Sequence, residues 1–316
     1  MRAASVSFEI RFESIGGLGA HLAAQLLAES LVLRQGLNAS QFSSYGSEKK
    51  GTPVRSFIRA VGGNAPIRVS SPVVAPDVLA VFHVALLARP VTLAGLKRDG
   101  LLIVNAPASA ALPLPKGRAM LVDAMAIAVE EHTRINTAIL GAVAKGCPRI
   151  DAKALAATLE EHFSKRSAAL AESNVKTFWR GYQEAAERLI AEGPEPTPPD
   201  GSTTLRWGYR TAPLGGAIID VGNTIANDLS ASRQGFAPQF NAQACTNCGI
   251  CDLVCPDYCF VWEEQGSAAC LLGIDYQFCK GCLRCIDSCP SGALTKEREG
   301  AWVSAQRVPL SRKDSA

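Results

Sequence analysis

Residues 6–12, Val-Ser-Phe-Glu-Ile-Arg-Phe, alternate apolar and polar side chains with the two-residue period of a strand. A glycine turn follows, Ser14-Ile15-Gly16-Gly17-Leu18-Gly19, and then a helix-like run from about Ala20 to Leu33. Val54–Ala60, Val78–Phe82, Leu101–Asn105 and Ala119–Val122 are short apolar runs that read as further strands, with helical character between the second and third. Met125–Val143 reads largely as helix. From Asp151 the pattern is purely helical, through Leu155, Leu159 and Phe163 to Tyr182 and Leu189. This alternation of strand and helix predicts an α/β domain over residues 1–192, a mostly parallel Rossmann-like sheet with helices on both faces.

The pattern stops at Ala191. Gly193-Pro194-Glu195-Pro196-Thr197-Pro198-Pro199-Asp200-Gly201-Ser202 is a linker that proline stiffens and that cannot form a helix. Residues 193–240 are therefore expected to be linker and extended arm, with one apolar patch at Ile218-Ile219-Asp220-Val221. Residues 241–316 form a second, cysteine-rich domain with a C-terminal tail, and it repeats itself internally.

Composition adds three limits. A net charge of +3 is no electrostatic footprint for nucleic acid. The most apolar stretch, Val73–Leu96, is broken by Asp77, His83, Arg89 and two prolines, so no membrane span is expected. Met1 to Arg11 has no signal-peptide core, so the expected compartment is the cytoplasm, where thiols are reduced and available to metal.

Of 11 cysteines, ten fall between Cys245 and Cys289. Cys245-x-x-Cys248-x-x-Cys251-x-x-x-Cys255-Pro256 and Cys279-x-x-Cys282-x-x-Cys285-x-x-x-Cys289-Pro290 are both C-x2-C-x2-C-x3-C-P, the two-cluster ferredoxin pattern. Cysteines at every third residue wrap a short loop around a cubane, so that three thiolates meet three irons. The fourth is expected to start a helix leading away, with its proline at the first helical position. In this pattern the fourth cysteine serves the other cluster. One [4Fe–4S] cluster is thus expected on Cys245, Cys248, Cys251 and Cys289, and a second on Cys279, Cys282, Cys285 and Cys255. A zinc ribbon lacks the third cysteine of each run. Cys147, Cys259 and Cys270 read as small buried hydrophobes. Lys280, Arg284, Lys296 and Arg298 read as a solvated basic rim.

The glycine turn lacks the G-x-G-x-x-G spacing, and residues 30–47 hold no acidic side chain for a ribose, so NAD binding is not expected. Ser43–Thr52 is a glycine-punctuated charged loop leading into the 54–60 strand. His21 and His83 read as packed or surface histidines, and no residue of the chain is assigned a catalytic role.

These motifs together resemble a known family. Ser14–Gly19 resembles the G-x-G-G-Q-G turn of the gamma domain of 2-oxoacid:ferredoxin oxidoreductases, and Tyr45-Gly46-x-Glu48-x-Lys50-Gly51 resembles its Y-G-x-E-x-R-G-G loop. Asn136-x-x-x-Leu140-Gly141-Ala142, Asn174 and Gly181 follow in the family's order. Gly215-Gly216, Gly222-Asn223, Arg233 and Pro238 before Cys245 are similar to the lead-in of the delta subunit. The chain looks like a gamma–delta fusion.

The resemblance implies a subunit of an enzyme that decarboxylates a small 2-oxoacid, pyruvate-like, and passes electrons to ferredoxin. It implies thiamine diphosphate, Mg2+ and a further [4Fe–4S] cluster on partner alpha and beta subunits, in a dimer of heterotrimers. It also implies that Gly16, Gly17, Gly19, Tyr45, Glu48 and Lys50 lie near a partner's active site or CoA. Ser14, Leu18, Lys50 and Thr52 depart from the family pattern, and Lys50 lacks the bidentate fork of an arginine. A CoA-using member and a CoA-independent one of the oxalate oxidoreductase type stay open as alternatives. A stand-alone ferredoxin-type carrier with a docking domain is the reading from another class.

Overall fold

The computed structural model describes residues 7–45, 51–63, 65–195, 215, 228–266 and 268–310. The chain divides into two compact units, Met1–Ile218 and Ile219–Ala316.

The first unit carries strands β1 (Ser7–Ile15), β2 (Asn38–Ser44), β3 (Pro53–Val61), β4 (Val78–Val81), β5 (Leu101–Asn105), β6 (Gly117–Val122) and β7 (Ala186–Ile190). Its helices are α1 (Ala20–Leu33), α2 (Pro90–Leu93), α3 (Ala124–Glu130), α4 (Ile135–Gly146), α5 (Ala152–Ser164) and α6 (Ala168–Glu184). The strands form one sheet in the order β2-β3-β1-β4-β5-β6-β7. The four middle strands, β1-β4-β5-β6, are parallel, as the strand–helix alternation predicts. The flanks are antiparallel, so the α/β sheet is mixed. At the β2–β3 edge the physical reason is short connection: β2 returns along β3 after eight residues, too few for a parallel crossover.

Three local readings change. Residues 125–143 are not one helix, because His132 adopts φ 53° and ends the first segment before α4 begins. The segment around Leu189 is strand rather than helix, since β7 pairs along the outer edge of β6. Asn38–Ser44 is a strand without strict alternation, partly buried at the opposite edge.

In β1, Phe8, Ile10 and Phe12 are buried on one face. The Arg149 guanidinium, just beyond α4, lies 5.7 Å from the Phe8 ring. The opposite face of the strand is charged, with Arg11 and Glu13 also buried. Glu9 pairs with Arg59 at 2.6 Å and Glu13 with Arg55 at 3.1 Å, both across the β1–β3 ladder. Arg11 between them donates to the carbonyls of Val73, Thr92 and Ala94, so the 65–77 segment and the α2 region cover this face. Burial raises the pKa of the Glu13 carboxyl, opposed by Arg55 and Arg11. Arg11 Nε lies 3.0 Å from Glu13 Oε1 without the alignment of a hydrogen bond, and each atom has no other partner.

The second unit carries β8 (Phe236–Phe240), β9 (Phe260–Gln265), β10 (Ala268–Ile274) and β11 (Leu294–Arg298), with short helices α7 (Ile250–Val254), α8 (Arg284–Asp287) and α9 (Ala301–Ala305). β8 pairs with β11 and β9 with β10, both antiparallel. Its core includes Ala237, Phe260, Leu271, Ile274, Tyr276 and Leu294, together with cysteines of both motifs. No helix among the described residues is long and apolar enough to cross a membrane.

Candidate functional site

Each cysteine motif folds into the same loop. Asn247 and Gly281 adopt φ 54° and 66°, and Gly249 and Leu283 adopt φ 75° and 61°. The left-handed residues thus fall two and four positions after the first cysteine of each motif, which bends the chain sharply between successive thiols. A leucine in this conformation costs about 1–2 kcal/mol, so the wrap is imposed by what surrounds it. Asn247 anchors the first loop: its Oδ1 accepts from the Leu271 N–H at 3.0 Å, and its own N–H donates to Cys245 Sγ at 3.4 Å.

A helix begins after the second cysteine of each motif and ends just before the fourth. This corrects the expectation that the fourth cysteine opens a helix. Pro256 and Pro290 stand past the helix ends, where a residue without an N–H stops further winding.

The thiols surround two cavities. One is lined by Cys245, Cys248, Cys251 and Cys289. The other is lined by Cys255, Cys279, Cys282 and Cys285. The fourth cysteine of each motif therefore lines the cavity of the other. Among the described residues, no group of three or more His, Cys, Asp or Glu is placed to hold a metal ion as the side chains stand. Four thiols spread round a small cavity are instead the donor set that a tetranuclear iron–sulfur cluster takes. Burial pushes the pKa of the Cys251 thiol up to about 11 and that of Cys285 up to about 12. Such thiols give up their protons when a metal takes their place.

Cys259 is buried, as expected, but it also lines the second cavity, with Sγ 3.5 Å from Cys255 Sγ. Its spacing gave no sign of this. Cys147 is buried and Cys270 is partly so. Of the basic residues around the motifs, Lys280 is engaged, pairing with Asp257 at 3.0 Å beside the second cavity. Lys296 lies over the Phe236 ring at 4.1 Å. Arg233 ties the lead-in to the second motif: it donates to the carbonyls of Cys279 and Tyr276 and pairs with Glu299. The Tyr276 hydroxyl donates to Pro238 O at 2.7 Å.

The first unit presents a second cluster of polar groups. The Gly16 N–H donates to Thr52 O at 2.8 Å and the Gly51 N–H to Gly16 O at 3.2 Å, which joins the glycine turn to the end of the charged loop. Gly17 and Gly19 have φ 108° and 82°, and a Cβ on Gly19 would lie 2.9 Å from the Asn136 side chain. That fit explains why a glycine faces Asn136, whose Nδ2 donates to Gly19 O. His21 Nδ1 lies 3.0 Å from Ser43 Oγ and 3.3 Å from Gln41 Nε2, and its ring stands 6.1 Å from that of Tyr45. Ser14 and Leu18, two positions that depart from the family turn, are both buried. Glu48 and Lys50 lie outside the described residues, as do Gly216, Gly222 and Asn223. His83 caps the turn after β4 by accepting from the Ala85 N–H at 3.1 Å.

Comparison with known proteins bears on both units. The family described as pyruvate ferredoxin/flavodoxin oxidoreductase matches residues 9–184, and a 4Fe-4S binding domain matches residues 272–295. The pyruvate/ketoisovalerate oxidoreductases common subunit gamma of Thermococcus kodakarensis is 39% identical over 175 residues, covering 53% of this chain and 91% of that protein. The pyruvate synthase subunit PorD of Methanocaldococcus jannaschii is 38% identical over 82 residues, covering 26% of this chain and 90% of that protein. The crystal structure of the pyruvate oxidoreductase subunit PORC of Thermotoga maritima matches at a TM-score of 0.50 and 31% identity, covering 57% of this chain and 98% of that one. With a cluster-binding domain following an α/β domain matched across most of its length, the chain belongs to the pyruvate ferredoxin/flavodoxin oxidoreductase family.

Proposed function

We propose that this chain is the electron-relay and scaffold subunit of a thiamine-diphosphate-dependent 2-oxoacid:ferredoxin oxidoreductase, with gamma and delta parts fused. The observation that carries the reading is the grouping of the eight motif thiols, four around each of two small cavities, in a chain of this family. Cys245, Cys248, Cys251 and Cys289 hold one [4Fe–4S] cluster, and Cys279, Cys282, Cys285 and Cys255 hold the other. Bound there, the clusters supply one-electron steps, and the chain supplies thiolates, burial and hydrogen bonds that set their potentials.

The substrate class we assign is a small 2-oxoacid, in keeping with relatives named for pyruvate and ketoisovalerate. Thiamine diphosphate, Mg2+ and a further cluster belong to partner alpha and beta subunits, and a cytoplasmic ferredoxin takes the electrons. The glycine turn with Tyr45 is the surface we assign to the partner's active site or to CoA. Because Ser14 and Leu18 point into the fold, their departure from the family turn does not argue against CoA. Oxalate as substrate without CoA is the second reading.

Anaerobic purification from the native source tests this. About eight irons on this chain beyond those of its partners, co-elution with a thiamine-containing chain, and turnover of pyruvate with CoA or of oxalate without it are the expected results. Iron without any partner chain would favour the stand-alone carrier. Failure to turn over any 2-oxoacid or oxalate would overturn the enzyme.

A further inference from the structure

Trp262 on β9 stands opposite Leu271 on β10, and both side chains line the first cavity. The Trp262 indole nitrogen is buried and has no hydrogen-bond partner. Trp302, in contrast, donates its indole N–H to Arg298 O at 2.8 Å. An indole N–H is a donor only, and leaving it buried without an acceptor costs about 1–3 kcal/mol. Much of the surrounding wall is apolar, with Phe240, Leu271, Pro290, Ala293 and Leu294. The acceptors that filling this cavity would bring next to Trp262 are sulfur atoms, from the thiolates and from the cluster itself.

We infer that Trp262 Nε1–H is a hydrogen-bond donor to a sulfur of the first cluster, and that it raises the potential of that cluster relative to the second. A donor at a sulfur offsets negative charge. It therefore favours the reduced form, which carries one more negative charge. Among the described residues, no indole stands in the wall of the second cavity; there the neighbouring polar groups are the Asp257–Lys280 ion pair and the Cys259 thiol. Two loops of one backbone design thus present different donors to their clusters, and the difference gives the electron path a direction.

This inference rests on both cavities holding clusters, so its test separates the two. Full-length protein grown with 15N-labelled indole tryptophan is purified anaerobically, its iron is counted, and pulsed EPR is recorded on the reduced state. The wild type shows a 15N coupling at one cluster, and Trp262→Phe removes it while the iron count holds. In a redox titration the variant's first cluster is about tenfold harder to reduce, a 59 mV fall for one electron, and the second keeps its potential. No 15N coupling at either wild-type cluster would overturn the inference while eight irons upheld the function. Two unchanged potentials in Trp262→Phe, or equal shifts in both, would also overturn it. A wild-type chain without iron would overturn the function and the inference together.

Discussion

Gly141 and Gly181 hold α4 and α6 against each other with no room for a side chain on either. A Cβ on Gly141 would lie 2.1 Å from Phe178 O, and one on Gly181 would lie 2.1 Å from Ala138 O. Near this crossing the Thr137 hydroxyl donates to Asn174 Oδ1 at 2.9 Å, so Gly141, Asn174 and Gly181 of the family pattern serve one seam. Gly181→Ala is expected to force the helices apart at a cost of about 3 kcal/mol. Thermal or denaturant unfolding reads this directly, and an unchanged midpoint would mean that the backbones have slack.

Cys289 and Cys255 each line the cavity of the opposite motif. Cys289→Ala should therefore damage the cluster held by Cys245, Cys248 and Cys251, not the one held by its own neighbours in sequence. EPR of the reduced variants, compared with Cys255→Ala, shows which signal changes. Loss of the signal belonging to the variant's own motif would refute the crossed assignment.

Cys259 lies close enough to Cys255 to be mistaken for a ligand. As part of the wall it is dispensable for iron, so Cys259→Ala should keep about eight irons and both EPR signals. A loss of four irons would make it a ligand in place of Cys255.

Glu131 sits between Lys176 Nζ and Arg180 Nη1, each at 2.9 Å. The hydrogen bond from Lys176, helped by Arg180 and opposed by burial, holds its carboxyl below the ordinary value of 4.5. A carboxylate depressed in the folded state adds stability above its unfolded pKa, and that addition disappears as pH falls through the folded value. Glu131→Gln should therefore be less stable than wild type near neutrality, and the gap should close on acidification below 4.5. Parallel stability–pH curves for the two proteins would contradict the assignment.

The parts of the fold fixed by strong periodicity were legible in the sequence. Ala20–Leu33 is the helix its apolar spacing predicts, and Leu101–Asn105 is a strand with every residue buried. Edge strands were not legible. In β7 the apolar and charged residues fit a continuation of α6, and only pairing with β6 decides between the two states. The charged face of β1 was hidden for a related reason. Alternation separates two faces but does not say what covers the polar one, here the carbonyls that receive Arg11. The cysteine spacing carried the grouping of the motif thiols around two cavities, because each interval fixes a loop closure. It carried no sign of Cys259 or Trp262, whose places depend on the β9–β10 hairpin.

The exchange of fourth cysteines also governs how the second unit is made. Each half of the repeat lends a thiol to the other, so neither half matures alone. Filling one cavity fixes a segment that carries three donors of the other, which lowers the entropy still to be lost there. During biosynthesis, iron loading should therefore be cooperative, with the first cavity to fill easing the filling of the second. Damage should be coupled in the same way: emptying one cavity loosens the segment that gives the other its fourth thiol.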